Sequence, residues 1–216
     1  YVVIPCNYFC HYGDTTLLRE HYQGMKHWVE YLQTRTDDKG IVVREEPNGW
    51  CLGEWSTPHN RIEIPASLVN TAYFYHVTCI MADVAGILNK KNDEHHLRTL
   101  AETIRKNFNA AFYNEATHHY GEGKQGADVF ALAFGLVPDG KREKVFAALL
   151  GHLEKVNYHF DTGILATPLL LQVLTENGRA DLAYKLMNQR DFPSYGYLAD
   201  KKNNTLWETW NGDGND

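Results

Sequence analysis

One long segment, residues 64–88, is apolar on almost every side when it is drawn as a helix, and this feature constrains the fold most strongly. Pro65 stands near the first turn of that helix, where proline is well tolerated. A helix without a polar face must be covered by other elements on most of its sides. Residues 14–34 and 93–112 keep apolar residues at a spacing of three to four, which predicts amphipathic helices.

Shorter apolar stretches predict the remaining helices, and strand patterns are weak throughout. These helices are expected at 127–136, from about 141 to 156, at 167–176 and at 179–187, with a short one at 205–211 in an otherwise irregular tail that begins at Tyr195. About seven helices in consecutive hairpins, alternately apolar all round and amphipathic, are typical of a toroid with an inner and an outer ring, and also of an α-solenoid. No repeat of fixed period is visible, which favours the toroid.

Composition excludes several classes of function. The formal net charge is -6, the isoelectric point is about 6.0, and the basic residues are interleaved with acids, so no nucleic-acid partner is expected. No apolar run reaches the length of a membrane span, so no membrane partner is expected either. The spacing of the cysteines fits neither a zinc site nor a disulfide framework, and no metal or cofactor is predicted. The cysteines are Cys6, Cys10, Cys51 and Cys79.

The strongest local feature is a carboxylate between two indoles. Glu208 lies between Trp207 and Trp210, and Asn and Gly follow the second of these indoles. Packing among aromatic rings would reduce the solvation of the carboxylate, raise its pKa and make it a better base. The other interpretation is an ordinary ion pair of Glu208 beside two core indoles.

A second acid stands beside tryptophan in a long, glycine-containing loop. Here Glu54 precedes Trp55 and follows Trp50. Since many glycosidases use two carboxylates, Glu54 and Glu208 are candidates for one shared cleft. The alternative for Glu54 is a loop carboxylate that caps the following turn.

Five separated stretches resemble the catalytic domain of the bacterial α-L-rhamnosidases, and together they cover essentially the whole chain. In chain order they are Trp-Cys-Leu-Gly-Glu-Trp at 50–55, Ala-Leu-Ala-Phe-Gly-Leu-Val-Pro at 131–138, Phe-Asp-Thr-Gly-Ile-Leu-Ala-Thr at 160–167, Pro-Ser-Tyr-Gly-Tyr at 193–197 and Leu-Trp-Glu-Thr-Trp at 206–210. The sequence departs from that family at Glu54, where Asp is usual, and at Ala166, where Gly is usual.

The resemblance implies an all-α (α/α)6 barrel and the hydrolysis of terminal α-L-rhamnosides with inversion. In that family the Glu of a Trp-Glu-x-Trp motif is the general base, which corresponds to Glu208, and the loop tryptophan lines the sugar pocket, which corresponds to Trp55. Further candidates for contact with the substrate are Glu54, Trp50, Trp207 and Trp210. No cofactor is implied. The expected partner is a rhamnosylated glycan or glycoside, and the expected location is secreted or periplasmic.

The general acid of that family lies N-terminal to any segment seen in this sequence. Residues 1–216 are therefore expected to form a single partial (α/α)6 catalytic domain, truncated at both ends and inactive in isolation. Two alternatives remain open. One is a polysaccharide lyase with an (α/α) toroid, which needs a Tyr or His base and a group that neutralises a uronate. The other is a non-catalytic helical scaffold that binds sugar.

Overall fold

A computed structural model describes residues 1–44, 51–58, 63–201 and 205–211. Within these ranges the chain forms nine α-helices and no β-strand. The β-type pairing in these ranges is limited to two isolated β-bridges. The helices are α1 Val3–Tyr12, α2 Thr16–Gln33, α3 Ala66–Ile87, α4 Lys91–Phe112, α5 Gln125–Phe134, α6 Arg142–Lys155, α7 Ala166–Glu176, α8 Ala180–Asn188 and α9 Tyr195–Asp200. The all-α class expected from the sequence is confirmed.

Two helices were not expected from the sequence, and one expected helix is absent. The helix α1 was missed because its residues are apolar and aromatic with little periodicity, and α9 because it has only six residues, one of them glycine. The start of α9 is fixed locally, since the hydroxyl of Ser194 accepts a hydrogen bond from Tyr197 N at 3.0 Å. Residues 205–211 form bends and turns, so the short helix expected there was wrong.

The chain divides into two compact units, of which the first comprises Tyr1–Cys51 and Asn70–Ala111. Helices α1 and α2 pack together in this unit. Its core is formed by apolar side chains of α2, α3 and α4, including Leu18, Phe74 and Ile104. A polar contact joins α2 to α4 beside this core, because Asp93 accepts hydrogen bonds from Tyr22 Oη at 2.7 Å and from Lys26 Nζ at 2.8 Å.

The second unit comprises Leu52–Val69 and Phe112–Asp216. Helix α5 packs against α6 and α7, α7 packs against α8, and α8 packs against α9. Residues 125–132 of α5 are all buried, as a helix enclosed by its neighbours requires. In contrast, α6 buries one stripe, formed by Val145, Leu149 and Leu153. No helix in the described part of the chain combines the length and the apolar character needed to cross a membrane.

Candidate active site

A cavity of about 450 Å³ opens within the second unit. Residues from four separate segments line it: Ser56, then Gly163, Ile164, Thr167 and Pro168, then Tyr195 and Leu198, and finally Leu206, Trp207, Glu208, Thr209 and Trp210. Most of these side chains are apolar or aromatic, with hydroxyls and one carboxylate among them. A concave site of this volume and lining suits a small ligand that has both an apolar and a polar face.

The loop at 52–58 is held against the segment that leads into α7. The carboxylate oxygen Oε1 of Glu54 accepts a hydrogen bond from Ala166 N at 3.1 Å, and the carbonyl oxygen of Trp55 accepts one from Ile164 N at 2.8 Å. Two consecutive loop residues thus bind backbone amides that are more than one hundred positions later in the sequence. Through these bonds the loop and the start of α7 form one wall of the cavity.

Two glycines allow the loop at 52–58 to lie close to its neighbours, Gly163 beside α7 and Gly53 beside the start of α3. A Cβ atom on Gly163 would overlap the carbonyl oxygen of Trp55, so no larger residue fits without moving the loop. Gly53 has a φ of +66°, a conformation that L side chains rarely adopt, and a Cβ there would lie 2.7 Å from the Cα of Ala66. Glycine is therefore required at both positions for packing, and at Gly53 for the backbone conformation as well.

The tail that carries the second acid is fastened to the same segment. Trp210 is 6% exposed, and its indole Nε1 donates a hydrogen bond to the carbonyl oxygen of Thr162 at 2.9 Å. Its ring stacks on Phe160 with 4.9 Å between centroids and lies 5.2 Å from the ring of Tyr195. Because a buried indole N–H needs a partner, this bond fixes both the depth and the orientation of the ring.

A buried amide holds the residues just before this segment. Gln125 is 0% exposed at the start of α5, and its backbone N donates to Asp161 Oδ1 at 3.1 Å. Its side chain accepts from Asp161 N at 3.2 Å and donates to the carbonyl oxygen of His159 at 2.8 Å. The other carboxylate oxygen, Oδ2 of Asp161, lies 2.6 Å from His152 Nε2 of α6. Segment 159–161 is thereby tied to both α5 and α6.

The residues singled out from the sequence occupy different environments. Glu208 lines the cavity and is exposed, so the reduced solvation expected for its carboxylate is not observed. Trp207 is half-buried and lines the cavity, and Trp210 forms part of its floor. Trp55 is 48% exposed, and its neighbour Ser56 lines the cavity. Trp50 lies outside the described residues.

The buried acid is Glu54 instead. It is 3% exposed, and burial raises the pKa of its carboxyl to about 7, although backbone N–H groups at the start of α7 favour the charged form. Its second oxygen, Oε2, has no hydrogen-bond partner among the described residues. The alternative interpretation from the sequence was that Glu54 caps the turn that follows it. In the structure Glu54 does act as a cap, but the capped element is α7, far along the chain.

Several of these residues had no chemical role in the sequence analysis. The stretch 160–167 was recognised only through its resemblance to a family, and the backbone roles of Thr162 and Gly163 leave no signature in residue type. Gln125 gave no signal, because a lone amide is common on helix surfaces, and Asp161 was noted only as a member of that stretch. For metals, no group of three or more His, Cys, Asp or Glu side chains that could hold an ion occurs in the described ranges.

Helical hairpins that bring a carboxylate and two indoles to one cavity define an all-α domain with a candidate ligand-binding site. The comparison with protein families identifies it more closely. The chain belongs to the bacterial alpha-L-rhamnosidase 6 hairpin glycosidase domain family, whose model matches residues 1–216.

Among individual relatives, the Streptomyces avermitilis alpha-L-rhamnosidase is 35% identical over 209 residues, which cover 97% of this chain and 19% of that protein. A Formosa agariphila alpha-L-rhamnosidase is 32% identical over 209 residues, which cover 97% of this chain and 22% of the relative. The chain therefore spans about a fifth of the length of these relatives.

Solved structures agree with this assignment. The crystal structure of the Streptomyces avermitilis alpha-L-rhamnosidase complexed with L-rhamnose superposes with a TM-score of 0.86 at 33% identity, over 98% of this chain and 20% of that one. The alpha-L-rhamnosidase from Dictyoglumus thermophilum gives a TM-score of 0.88 at 33% identity, over 97% of this chain and 24% of that one. The fold is therefore part of a six-hairpin (α/α) toroid.

Proposed function

We propose that the protein containing this chain is a glycosidase that hydrolyses terminal α-L-rhamnosides with inversion, and that Glu208 is its general base. The observation that carries this proposal is the position of Glu208, an exposed carboxylate that lines the same cavity as Trp207 and Trp210. Membership of the rhamnosidase six-hairpin family supports the choice of reaction.

The cavity lining suits the proposed sugar. Rhamnose is a 6-deoxy sugar, so it presents a methyl group where related hexoses carry a hydroxymethyl group. Ile164, Leu198 and Leu206 provide apolar surface for that methyl, and the half-buried indole of Trp207 can stack on the C–H face of the ring. Apolar lining of this kind discriminates against an added hydroxyl by only about a hundred-fold, so moderate selectivity is expected.

In the proposed reaction Glu208 accepts a proton from a water molecule as the water oxygen bonds to the anomeric carbon. The glycosidic C–O bond breaks on the opposite face, and a carboxylic acid gives its proton to the leaving oxygen. The product sugar then has the β configuration. Because Glu208 is exposed, its carboxylate can contact water directly, as a general base must.

The general acid is a separate requirement. Among the described residues that line the cavity, Glu208 is the sole carboxylate. The raised pKa of Glu54 would suit an acid, but that side chain is buried and Oε1 is engaged by α7. We therefore propose that the acid comes from a part of the protein outside the described residues, at the separation of about 6.5–9.5 Å that inverting enzymes use.

The test uses the full-length protein and p-nitrophenyl α-L-rhamnoside. Initial product observed by NMR should be the β anomer. Glu208→Gln should lower kcat by about a hundred-fold or more with a small change in KM, because glutamine keeps the shape but cannot accept the proton in the transition state. Glu143→Gln, an exposed glutamate of α6, is the matched control and should leave both constants unchanged.

Three outcomes would contradict the proposal. An initial α anomer would mean retention, and an unsaturated product that absorbs in the ultraviolet would mean a lyase. Near-normal kcat with a raised KM in Glu208→Gln would make Glu208 a binding residue. As a further check, azide added to Glu208→Ala should restore turnover by attacking the anomeric carbon directly, with a β-glycosyl azide as product.

A further inference from the structure

The start of α7 carries a cap that comes from far away in the sequence. The first amides of any helix lack partners within the helix and need acceptors from elsewhere. At α7 the N-cap residue, Leu165, has no side chain that could serve. Glu54 takes this place, with Oε1 accepting from Ala166 N at 3.1 Å. An acidic group there also complements the partial positive charge of the helix N-terminus.

We infer that Glu54 is a positioning residue of the proposed site, which acts through the start of α7 on the cavity wall rather than by contact with the sugar. This inference rests on the proposed function for its kinetic consequence. Its structural part, that Glu54 holds the start of α7, can be tested without any activity.

The contacts on either side of Ala166 show how the effect is transmitted. Ile164 and Thr167 both line the cavity, and they flank the amide that Glu54 binds. The hydroxyl of Thr167 donates to the carbonyl oxygen of Gly163 at 2.7 Å, which closes the turn into a rigid unit. Loss of the Glu54 contact frees this unit at one end, and two lining side chains move with it.

Direct contact between Glu54 and a ligand conflicts with its burial. Only 3% of the residue is exposed, and Oε2 is enclosed without a hydrogen-bond partner in the described part of the protein. A sugar hydroxyl could reach either oxygen only if the loop at 52–58 separated from α7. The geometry thus favours an indirect role, in which reach and acceptor strength matter more than charge.

The experiment compares three substitutions at Glu54 in the full-length protein. Glu54→Gln keeps an acceptor at the same distance, Glu54→Asp withdraws it by one methylene, and Glu54→Ala removes it. Val145→Ala, a buried residue of α6 outside the cavity, controls for destabilisation alone. For each variant we would measure the melting temperature, kcat and KM for p-nitrophenyl α-L-rhamnoside at 25 °C, and hydrogen exchange of peptides that cover residues 163–170.

We expect kcat/KM to fall by about a hundred-fold in Glu54→Ala, by about ten-fold in Glu54→Asp and by less in Glu54→Gln, since displacements near 1 Å in a site are worth about that much. Exchange at 163–170 should rise in the same order. Val145→Ala should lower the melting temperature while kcat/KM stays within about two-fold of the parent. The void left by the smaller side chain lies on the buried face of α6, away from the residues that line the candidate site.

Two results would overturn the inference. The first is that Glu54→Asp and Glu54→Gln both keep the kcat/KM of Val145→Ala, which would leave Glu54 a merely structural residue. The second is unchanged exchange at 163–170 in every Glu54 variant. If the parent protein hydrolyses no rhamnoside, the proposed function fails, and the exchange measurement still decides whether Glu54 holds the start of α7.

Discussion

Replacement of Glu54 by glutamine tests the balance of two opposing effects on one carboxylate. Burial raises the pKa of Glu54 to about 7, from an ordinary value of 4.5. Three backbone N–H groups at the start of α7 act in the opposite direction. The nearby charge of Asp161, whose Oδ2 lies 2.6 Å from His152 Nε2, adds to the rise. The raised value means that burial outweighs the helix amides.

The sign of the effect on stability follows from that direction. Between pH 4.5 and about 7 the folded protein binds this proton more tightly than the unfolded chain does. The stabilisation by the protonated carboxyl of Glu54 is therefore complete below pH 4.5 and is lost as the pH rises through about 7. Since one pKa unit corresponds to about 1.4 kcal/mol, the loss amounts to about 3 kcal/mol above pH 7. Glutamine does not titrate, so the stability of Glu54→Gln should not show this loss as the pH rises.

The assay is scanning calorimetry of the full-length protein and of Glu54→Gln at pH 5, 6, 7 and 8. The melting temperature of the parent minus that of the variant should fall from pH 5 to pH 8 by about 5–10 °C, the range expected in a domain of 150–250 residues for the roughly 2.5 kcal/mol lost between these two pH values. Glu143→Gln, at an exposed position, should show no such trend. A parent that gains stability relative to Glu54→Gln as the pH rises would refute the reasoning, because the helix amides would then outweigh burial.

Three further substitutions test the segment 160–167 and the contact of Asp128, a buried residue of α5, with His119. Trp210→Phe should lower the free energy of unfolding by about 1–3 kcal/mol in denaturant titrations, because the carbonyl oxygen of Thr162 loses its indole donor. Gly163→Ala should lower both the melting temperature and kcat/KM, the latter by at least about ten-fold, since its Cβ would overlap the carbonyl oxygen of Trp55. Asp128→Asn should destabilise more at pH 6 than at pH 8.5, as judged by melting temperature. The hydrogen bond with Asp128 raises the pKa of His119, so the contact stabilises the folded protein while His119 is protonated. That stabilisation is lost as the pH rises through the raised pKa.

The helices that the sequence predicted best are those with a long periodic pattern. The apolar run at 64–88 became α3, and residues 14–34 and 93–112 became α2 and α4 with ends displaced by two residues at most. Such helices bury a continuous face, so packing and periodicity agree. The two helices that the sequence did not predict are α1, which has no periodic apolar face, and α9, which is short. Their formation depends on caps and neighbours that a pattern of apolar residues does not record.

The candidate site was predictable in its side chains and not in its connections. An acid beside tryptophan is unusual enough to notice, and this led to Glu54 and Glu208. The sequence could not show that one carboxylate is buried and the other exposed, since burial depends on which backbone segment covers each. It also gave no reason to assign a role to Thr162 or Gly163, because their contribution is a carbonyl oxygen and the absence of a Cβ.

The dependence on main-chain atoms explains how the site can tolerate changes at positions that its structure uses. Glu54 binds the backbone N–H of residue 166, so alanine serves there as well as any residue that fits the helix. The same holds for the carbonyl oxygen of Thr162, which any residue at that position would supply to Trp210. What cannot vary is the distance between the loop at 52–58 and the start of α7, because Gly163 leaves no room and the carboxylate has a fixed reach. A shortened acid at position 54 would therefore require the start of α7 to move closer to the loop, and the cavity wall with it. The length of this side chain and the shape of the proposed sugar site are thus coupled through the backbone.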